Sequence, residues 1–185
     1  MKGFHRENLL FSLCGLNCGL CPMHLDNHCP GCGGGEGNQS CAIARCSLSH
    51  EGVEYCSQCP EFPCEKYEGI DEWDSFITHK NQMRDLARAE AIGMVAYRAE
   101  QSRKIEILQH LLREYNDGRR KTFFCTAVNL LDLHDVEPIM EQLAGQEHDG
   151  LTIKEKAIRA ASLFQAAASR ENVELKLRKK PGKKK

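Results

Sequence analysis

Two stretches, CGLNCGLCPMHL (residues 14–25) and GVEYCSQCPEFPCEKYEG (residues 52–69), decide how this chain is read. Ten of the 11 cysteines in its 185 residues lie between Cys14 and Cys64, nearly one residue in five of that segment. The spacing is C-x3-C-x2-C-x7-C-x2-C-x8-C-x4-C-x9-C-x2-C-x4-C. Three C-x2-C pairs stand out, at Cys18/Cys21, Cys29/Cys32 and Cys56/Cys59. Such a pair wraps two sulfurs around one metal in a tight turn, leaving backbone N–H groups free to stabilise the thiolates. The segment is rich in Gly, Pro and short polar residues, so it cannot bury enough apolar surface to offset its chain entropy unaided. It needs a staple. The N-terminus, MKGFHRENLLFSLCGLNC, has too short an apolar run and no small-residue site to serve as a signal peptide. The expectation is therefore a soluble cytoplasmic protein in which metal thiolates, not disulfides, close the segment.

Zinc takes closed sets of four thiolates or imidazoles, and ten cysteines make two such sets with two left over. Cys18, Cys21, Cys29 and Cys32 have the simplest four-thiolate spacing; Cys41, Cys46, Cys56 and Cys59 make a second set. Cys14 and Cys64 then pair, or exchange with another member. His24, His28 and His50 are further candidate ligands, each read first as a polar loop residue. Two zinc ions are the leading expectation and an iron–sulfur cluster the alternative. Cys14-x3-Cys18-x2-Cys21 has the spacing of radical S-adenosylmethionine enzymes, and Cys-Pro often closes ferredoxin-type motifs. The chain has no room for the barrel those enzymes build and shows no strand–helix alternation. A plain electron-transfer cluster survives that objection. With all ligands cysteine, no metal-bound water is expected, which argues against hydrolysis and against acid–base roles for Glu61, Glu65 and Glu68.

Composition sets the remaining bounds. The chain is 41% hydrophobic and 28% charged, with a formal charge of -1. No run approaches the roughly 18 apolar residues of a membrane span. Residues 1–70 carry four basic and eight acidic side chains, whereas the last ten residues, KLRKKPGKKK, hold seven basic ones. Beyond residue 70 the apolar period becomes helical. Helices are expected over residues 74–80, over a segment that puts Met83, Leu86, Ala87, Ala91, Met94 and Val95 on one face, around Ile105–Leu112, and over a nearly all-apolar stretch at 122–133. Asp135 reads as an N-cap ahead of Pro138, and Thr152 with Glu155 as a capping box opening the last helix. The expected fold is mainly α: an irregular, metal-stapled cysteine-rich module (residues 1–70) packed on a small helical bundle (71–170), followed by a basic, disordered tail (171–185). Tyr67, Trp73 and Phe76 are expected to form the apolar seam joining module and bundle.

The cysteine-rich stretches resemble the DUF3795 family, a group of short bacterial and archaeal cysteine-rich proteins of unknown function. CGLNCGLCPMHL, CPGC (residues 29–32), the C-x4-C at Cys41/Cys46 and the Cys-x2-Cys-Pro-x-Phe-Pro-Cys ending carry the resemblance over most of residues 11–80, and NDGRRKTFFCTAVNLL (residues 116–131) looks like what longer relatives carry. The resemblance implies a metal-binding module, usually taken as zinc-finger-like, and assigns no catalytic residues. Outside it, Arg119, Arg120 and Lys121 crowd the start of an expected helix, where cations oppose the helix dipole. They are candidates for a phosphate or carboxylate site, weighed against a hydrated turn whose arginines pair with the acidic module. Cys125, among apolar neighbours, reads as buried and inert. The expected role is a binding or interaction module whose partner is another protein, with nucleic acid reachable through the basic tail. The alternatives are a small redox protein, or an enzyme acting on an anion at residues 119–121.

Overall fold

The computed structural model describes residues 2–35, 41–50, 52–145 and 150–181. Part of the Gly-rich run after Cys32 and the last three lysines of the tail lie outside them. Among the described residues the fold is mainly α, with seven α-helices and no β-strand. These are α1 (Pro22–Leu25), α2 (Ala42–Ser49), α3 (Gln82–Ile92), α4 (Met94–Glu114), α5 (Lys121–Leu130), α6 (Leu133–Ala144) and α7 (Ile153–Arg170). They belong to two compact units, residues 1–99 with 177–185, and residues 100–176.

The first unit does not stop where the composition changes at residue 70. Leu86 and Ala89 of α3 and Tyr97 of α4 share one buried cluster with Phe11, Tyr55 and Tyr67 of the cysteine-rich segment. Phe11 packs on Tyr97 at 4.8 Å and on Tyr55 at 5.5 Å between ring centroids. The cysteine-rich segment thus borrows a helix face for the apolar core that it lacks. A polar clamp fixes the register. Asn17 donates to the Asp85 carboxylate at 2.6 Å and accepts from the Tyr97 hydroxyl at 3.2 Å, all three groups being buried. The turn holding Asn17 can reach α3 because residue 15 is glycine, at φ +96°, where a Cβ would lie 2.3 Å from the Gln82 carbonyl oxygen. On the other side, the buried Arg6 guanidinium donates to the carbonyls of Phe11 and Glu54 and pairs with the Glu54 carboxylate.

Several local expectations change here. Residues 74–80 form turns, not a helix, because the buried Asp74 carboxylate takes the His79 N–H at 2.7 Å and so competes with the helical ladder. The same carboxylate accepts the Arg178 backbone N–H at 2.6 Å and its guanidinium at 3.0 Å, while the Asp74 N–H donates to the Arg178 carbonyl. The expected disordered tail therefore contains an anchored residue. Tyr67 is buried, but Trp73 and Phe76 are 39% and 63% exposed, so they form no buried seam. Gly93, at φ +84°, interrupts the helical face expected to continue to Val95, which is left 86% exposed.

The second unit is a helical assembly around α5, in which every residue from Phe124 to Leu130 is buried. Phe124 meets Phe164 of α7 at 6.1 Å, and the small side chains Ala157, Ala160, Ala161 and Ala167 line the buried face of α7. Buried Lys104 donates to the Leu131 carbonyl at 2.7 Å, placing a cation at the C-terminal end of α5. Helix α6 opens earlier than expected. Asp132 is its N-cap, Asp135 sits at the third helical position and accepts the Asp132 N–H at 3.3 Å, and Pro138 lies inside the helix. The capping box of α7 is as expected, with Thr152 donating its N–H to Glu155 at 2.8 Å and accepting the Glu155 N–H at 3.3 Å.

Gly15→Ala is expected to lower the unfolding free energy by ~3 kcal/mol or more, combining a disfavoured φ with a backbone clash. Gly52→Ala, also at positive φ but with open space around it, is expected to cost only ~1–2 kcal/mol. Urea unfolding of the two variants checks this; equal losses would mean that the Gly15 turn does not depend on close approach to α3.

Candidate metal centre

The thiols are delivered by short turns whose backbone geometry repeats. Cys18 opens a one-turn 3-10 helix and the Cys21 N–H returns to the Cys18 carbonyl at 3.0 Å. Cys56 and Cys59 repeat the arrangement, again at 3.0 Å. The two turns are linked through the chain, since the Cys56 N–H donates to the Leu13 carbonyl at 2.9 Å. The third pair, Cys29/Cys32, turns at Gly31, φ +93°, where a Cβ would stand 2.4 Å from the Leu9 carbonyl oxygen. Helix α2 supplies the remaining spacing: Cys41 is its N-cap and Cys46 lies in its second turn.

No disulfide joins any of the 11 cysteines. The structure gathers nine of the ten clustered ones around two cavities. The smaller, about 30 Å³, is lined by Cys46, Cys56, Cys59 and Cys64, with His50 and Tyr67. The larger, about 250 Å³, is lined by Cys14, Cys18, Cys29, Cys32 and Cys41. Cys21 lies beside Cys29 and Cys18 without lining either cavity. This grouping differs from the one that spacing suggested. Cys64 takes the place of Cys41 in the second set, while Cys14 and Cys41 join Cys18, Cys29 and Cys32 around the larger cavity and Cys21 lies off its lining. The physical reason is the geometry of α2, whose five-residue step from Cys41 to Cys46 sends one thiol to each cavity. Among the described residues, the one group of three or more thiol, imidazole or carboxylate ligand atoms within 4.8 Å of one another is Asp132, His134 and Asp135 at the start of α6. The sulfurs around each cavity are therefore gathered more loosely than that.

Backbone amides and hydroxyls already point at several sulfurs. The Ser12 hydroxyl lies 3.3 Å from the Cys14 sulfur, which also faces the Leu16 N–H. Cys18 sulfur faces the Cys32 N–H, and Cys21 sulfur the N–H groups of Met23 and His24 at the start of α1. Donors in these positions stabilise the thiolate over the thiol. Burial opposes them and wins. With a smaller contribution from neighbouring thiols, it pushes the Cys14 thiol up to about 11 and the Cys18 and Cys56 thiols up to about 12. Cys21 is raised by burial as well. Cys14, Cys18, Cys21 and Cys56 are therefore neutral at neutral pH when reduced, and ligation of a metal would have to expel their protons.

Of the histidines, His24 has its Nδ1 2.9 Å from the Cys29 carbonyl, and His50 lines the smaller cavity. Sequence reasoning missed what the tyrosine at 67 does. Its ring packs edge-on against Phe62 at 4.9 Å, and its hydroxyl is buried beside Cys56. Ser12 and Asn17 were missed too, since nothing in cysteine spacing marks a hydroxyl or an amide in a neighbouring turn.

Residues 10–69 match the family described as Protein of unknown function (DUF3795). The matched stretch, about a third of the chain, is similar to that family. It contains all ten clustered cysteines and Tyr67, and leaves the helical remainder outside the match. No curated protein and no solved structure matches the chain. Beyond the matched stretch, Cys125 is buried as expected. Arg120 is the N-cap residue of α5 and pairs with Asp117 within its own turn. The Arg119 N–H donates to Asp117 at 3.1 Å, and Lys121 is the first residue of α5. No helix among the described residues is long and apolar enough to cross a membrane.

The raised thiols have a signed consequence for pH. Unfolded cysteines ionise near ~8.5, whereas Cys14, Cys18 and Cys56 resist until about 11 to 12. Between those values the unfolded chain binds fewer protons than the folded one, so stability falls as pH rises. Urea midpoints of the reduced, chelator-treated protein are expected to be level from pH 7 to 8 and to drop progressively from pH 9 to 10.5. A flat profile would show that these thiols are not shielded from solvent.

Proposed function

We propose that the DUF3795-like region is a metal-thiolate module that holds one metal centre in each of its two cysteine-lined cavities, with the metal acting structurally. The observation that carries this reading is the partition of the thiols: four around one cavity and five around the other, with no disulfide among them. The folding argument supports it. The first unit has a small buried cluster of aromatic and aliphatic groups, and thiolate–metal bonds supply the remaining cohesion of a Gly- and Pro-rich segment.

Zinc is the occupant we propose first, two ions per chain. Four thiolates close its coordination, and the smaller cavity has room for a single ion. A second reading, an iron–sulfur cluster, is favoured at the larger cavity by its volume and by sulfur spacing. Tetrahedral zinc with bonds of about 2.3 Å brings its sulfurs within ~3.8 Å of one another. A cluster interposes iron and sulfide and so holds its ligands farther apart, in keeping with thiols none of whose trios closes within 4.8 Å. The partner we propose is another protein, supported by the exposed Trp73 and Phe76. Truncation after Pro181 keeps the Arg178–Asp74 clasp; unchanged salt-dependent DNA binding by that truncated chain would remove the tail as a nucleic-acid arm.

Elemental analysis and visible absorption of anaerobically purified protein test the reading. Two zinc per chain without a visible band are expected; iron with matching sulfide and a brown colour would establish the cluster in place of zinc. Cys29→Ser and Cys59→Ser are each expected to lose one metal centre and keep the other. Loss of both centres in either variant would overturn the two-cavity arrangement.

A further inference from the structure

The smaller cavity contains a polar group with nothing to do. The Tyr67 side chain lines it, the residue is 7% exposed, and its hydroxyl oxygen is fully buried with no hydrogen-bond partner. Its ring is held in place by the aromatic cluster and by Phe62, so the hydroxyl cannot swing out to water without unpacking both. The Cys56 thiol is its main polar neighbour and already acts on it as a hydrogen-bonding group, with Cys14 and Cys64 next, but the approach falls short of a full hydrogen bond. A buried, unpaired hydroxyl is costly, and folded proteins rarely keep one without a use.

The chemistry of sulfur supplies the use. A neutral thiol is a weak acceptor, whereas a metal-bound thiolate carries charge and accepts strongly from O–H. We infer that Tyr67 is a built-in hydrogen-bond donor to the Cys56 sulfur once that sulfur is bound to a metal in the smaller cavity, so that Tyr67 positions and tunes the Cys46/Cys56/Cys59/Cys64 centre without ligating it. This inference rests on the metal-thiolate reading above. It assigns a fifth group to that centre and accounts for the orphaned hydroxyl in one step. When the metal enters, Cys56 gives its proton to solvent, the sulfur becomes charged, and the hydroxyl turns to it. Partners outside the ligand shell of this kind typically change metal affinity by 10–100-fold.

Tyr67→Phe tests it, because the variant removes only the oxygen and keeps the ring. The reduced full-length chain is titrated anaerobically with Co2+, whose sulfur-to-metal charge-transfer band reports thiolate ligation, while urea unfolding is followed in the metal-free state. Metal-free Tyr67→Phe is expected to be at least as stable as the parent, since an unpaired polar atom has been taken out of the interior. One Co2+ equivalent is expected to bind about tenfold more weakly, its charge-transfer band moving to lower energy, with the other equivalent unchanged. Equal affinity and an unshifted band would overturn the inference, and so would loss of metal-free stability, which marks a hydroxyl needed by the fold itself. A parent chain that takes up no Co2+ would overturn the underlying metal-thiolate reading instead, and the parent titration alone tells these failures apart.

Discussion

The Asn17 side chain is the joint on which the cysteine-rich unit depends. It gives its amide protons to Asp85 on α3 and takes the Tyr97 hydroxyl proton from α4. A short loop carrying Cys14 and Cys18 is thereby pinned to two helices far along the chain. The cost of burying a carboxylate is offset because Asp85 is hydrogen-bonded inside an otherwise apolar cluster. Removing the Asn17 amide would take a buried partner from Asp85 and from the Tyr97 hydroxyl at once, which is why the joint is more than the sum of two bonds. Gly15 makes the approach possible, and the Arg6 guanidinium holds the preceding segment against Glu54. The larger cavity is shaped by this joint, since Cys14 and Cys18 flank the residues that form it.

The two cavities are neighbours in chemistry as well as in sequence. Helix α2 contributes Cys41 to one and Cys46 to the other, and Cys14 acts electrostatically on Cys56 as well as on Cys18. Ionising one set therefore raises the cost of ionising the next. Under the proposed metal-thiolate reading a divalent ion would relieve that repulsion, and the donors aimed at Cys14, Cys18 and Cys21 would share in the relief. Tyr67 differs from these donors. Its hydroxyl is fully buried beside the Cys56 thiol without completing a hydrogen bond to it.

The α7 capping box and the buried α5 were legible because each depends on residues within a turn or two. The errors share a cause as well. Residues 74–80 have helical spacing, but Asp74 is claimed by Arg178, more than a hundred residues away. Trp73 and Phe76 are large and apolar, yet the buried aromatic positions near them are taken by Phe11, Tyr55 and Tyr67. Asp135 has the identity of an N-cap, but Asp132 three residues earlier also fits, and the structure uses both.

The sequence by itself determined the helical class of the chain, the confinement of its cysteine cluster to residues 14–64 and the C-x2-C turns that present the thiols, because these follow from composition and short-range spacing. Only the tertiary structure decided which cysteines share a cavity, that α3 and the start of α4 complete the cysteine-rich unit, and that Tyr67 and Asn17 are buried beside its cysteine-bearing turns. Spacing along a chain limits how far apart two sulfurs can be, but what brings Cys64 to Cys46 and Cys14 to Cys41 is the packing of turns against helices. That packing is settled by buried contacts between residues remote in sequence.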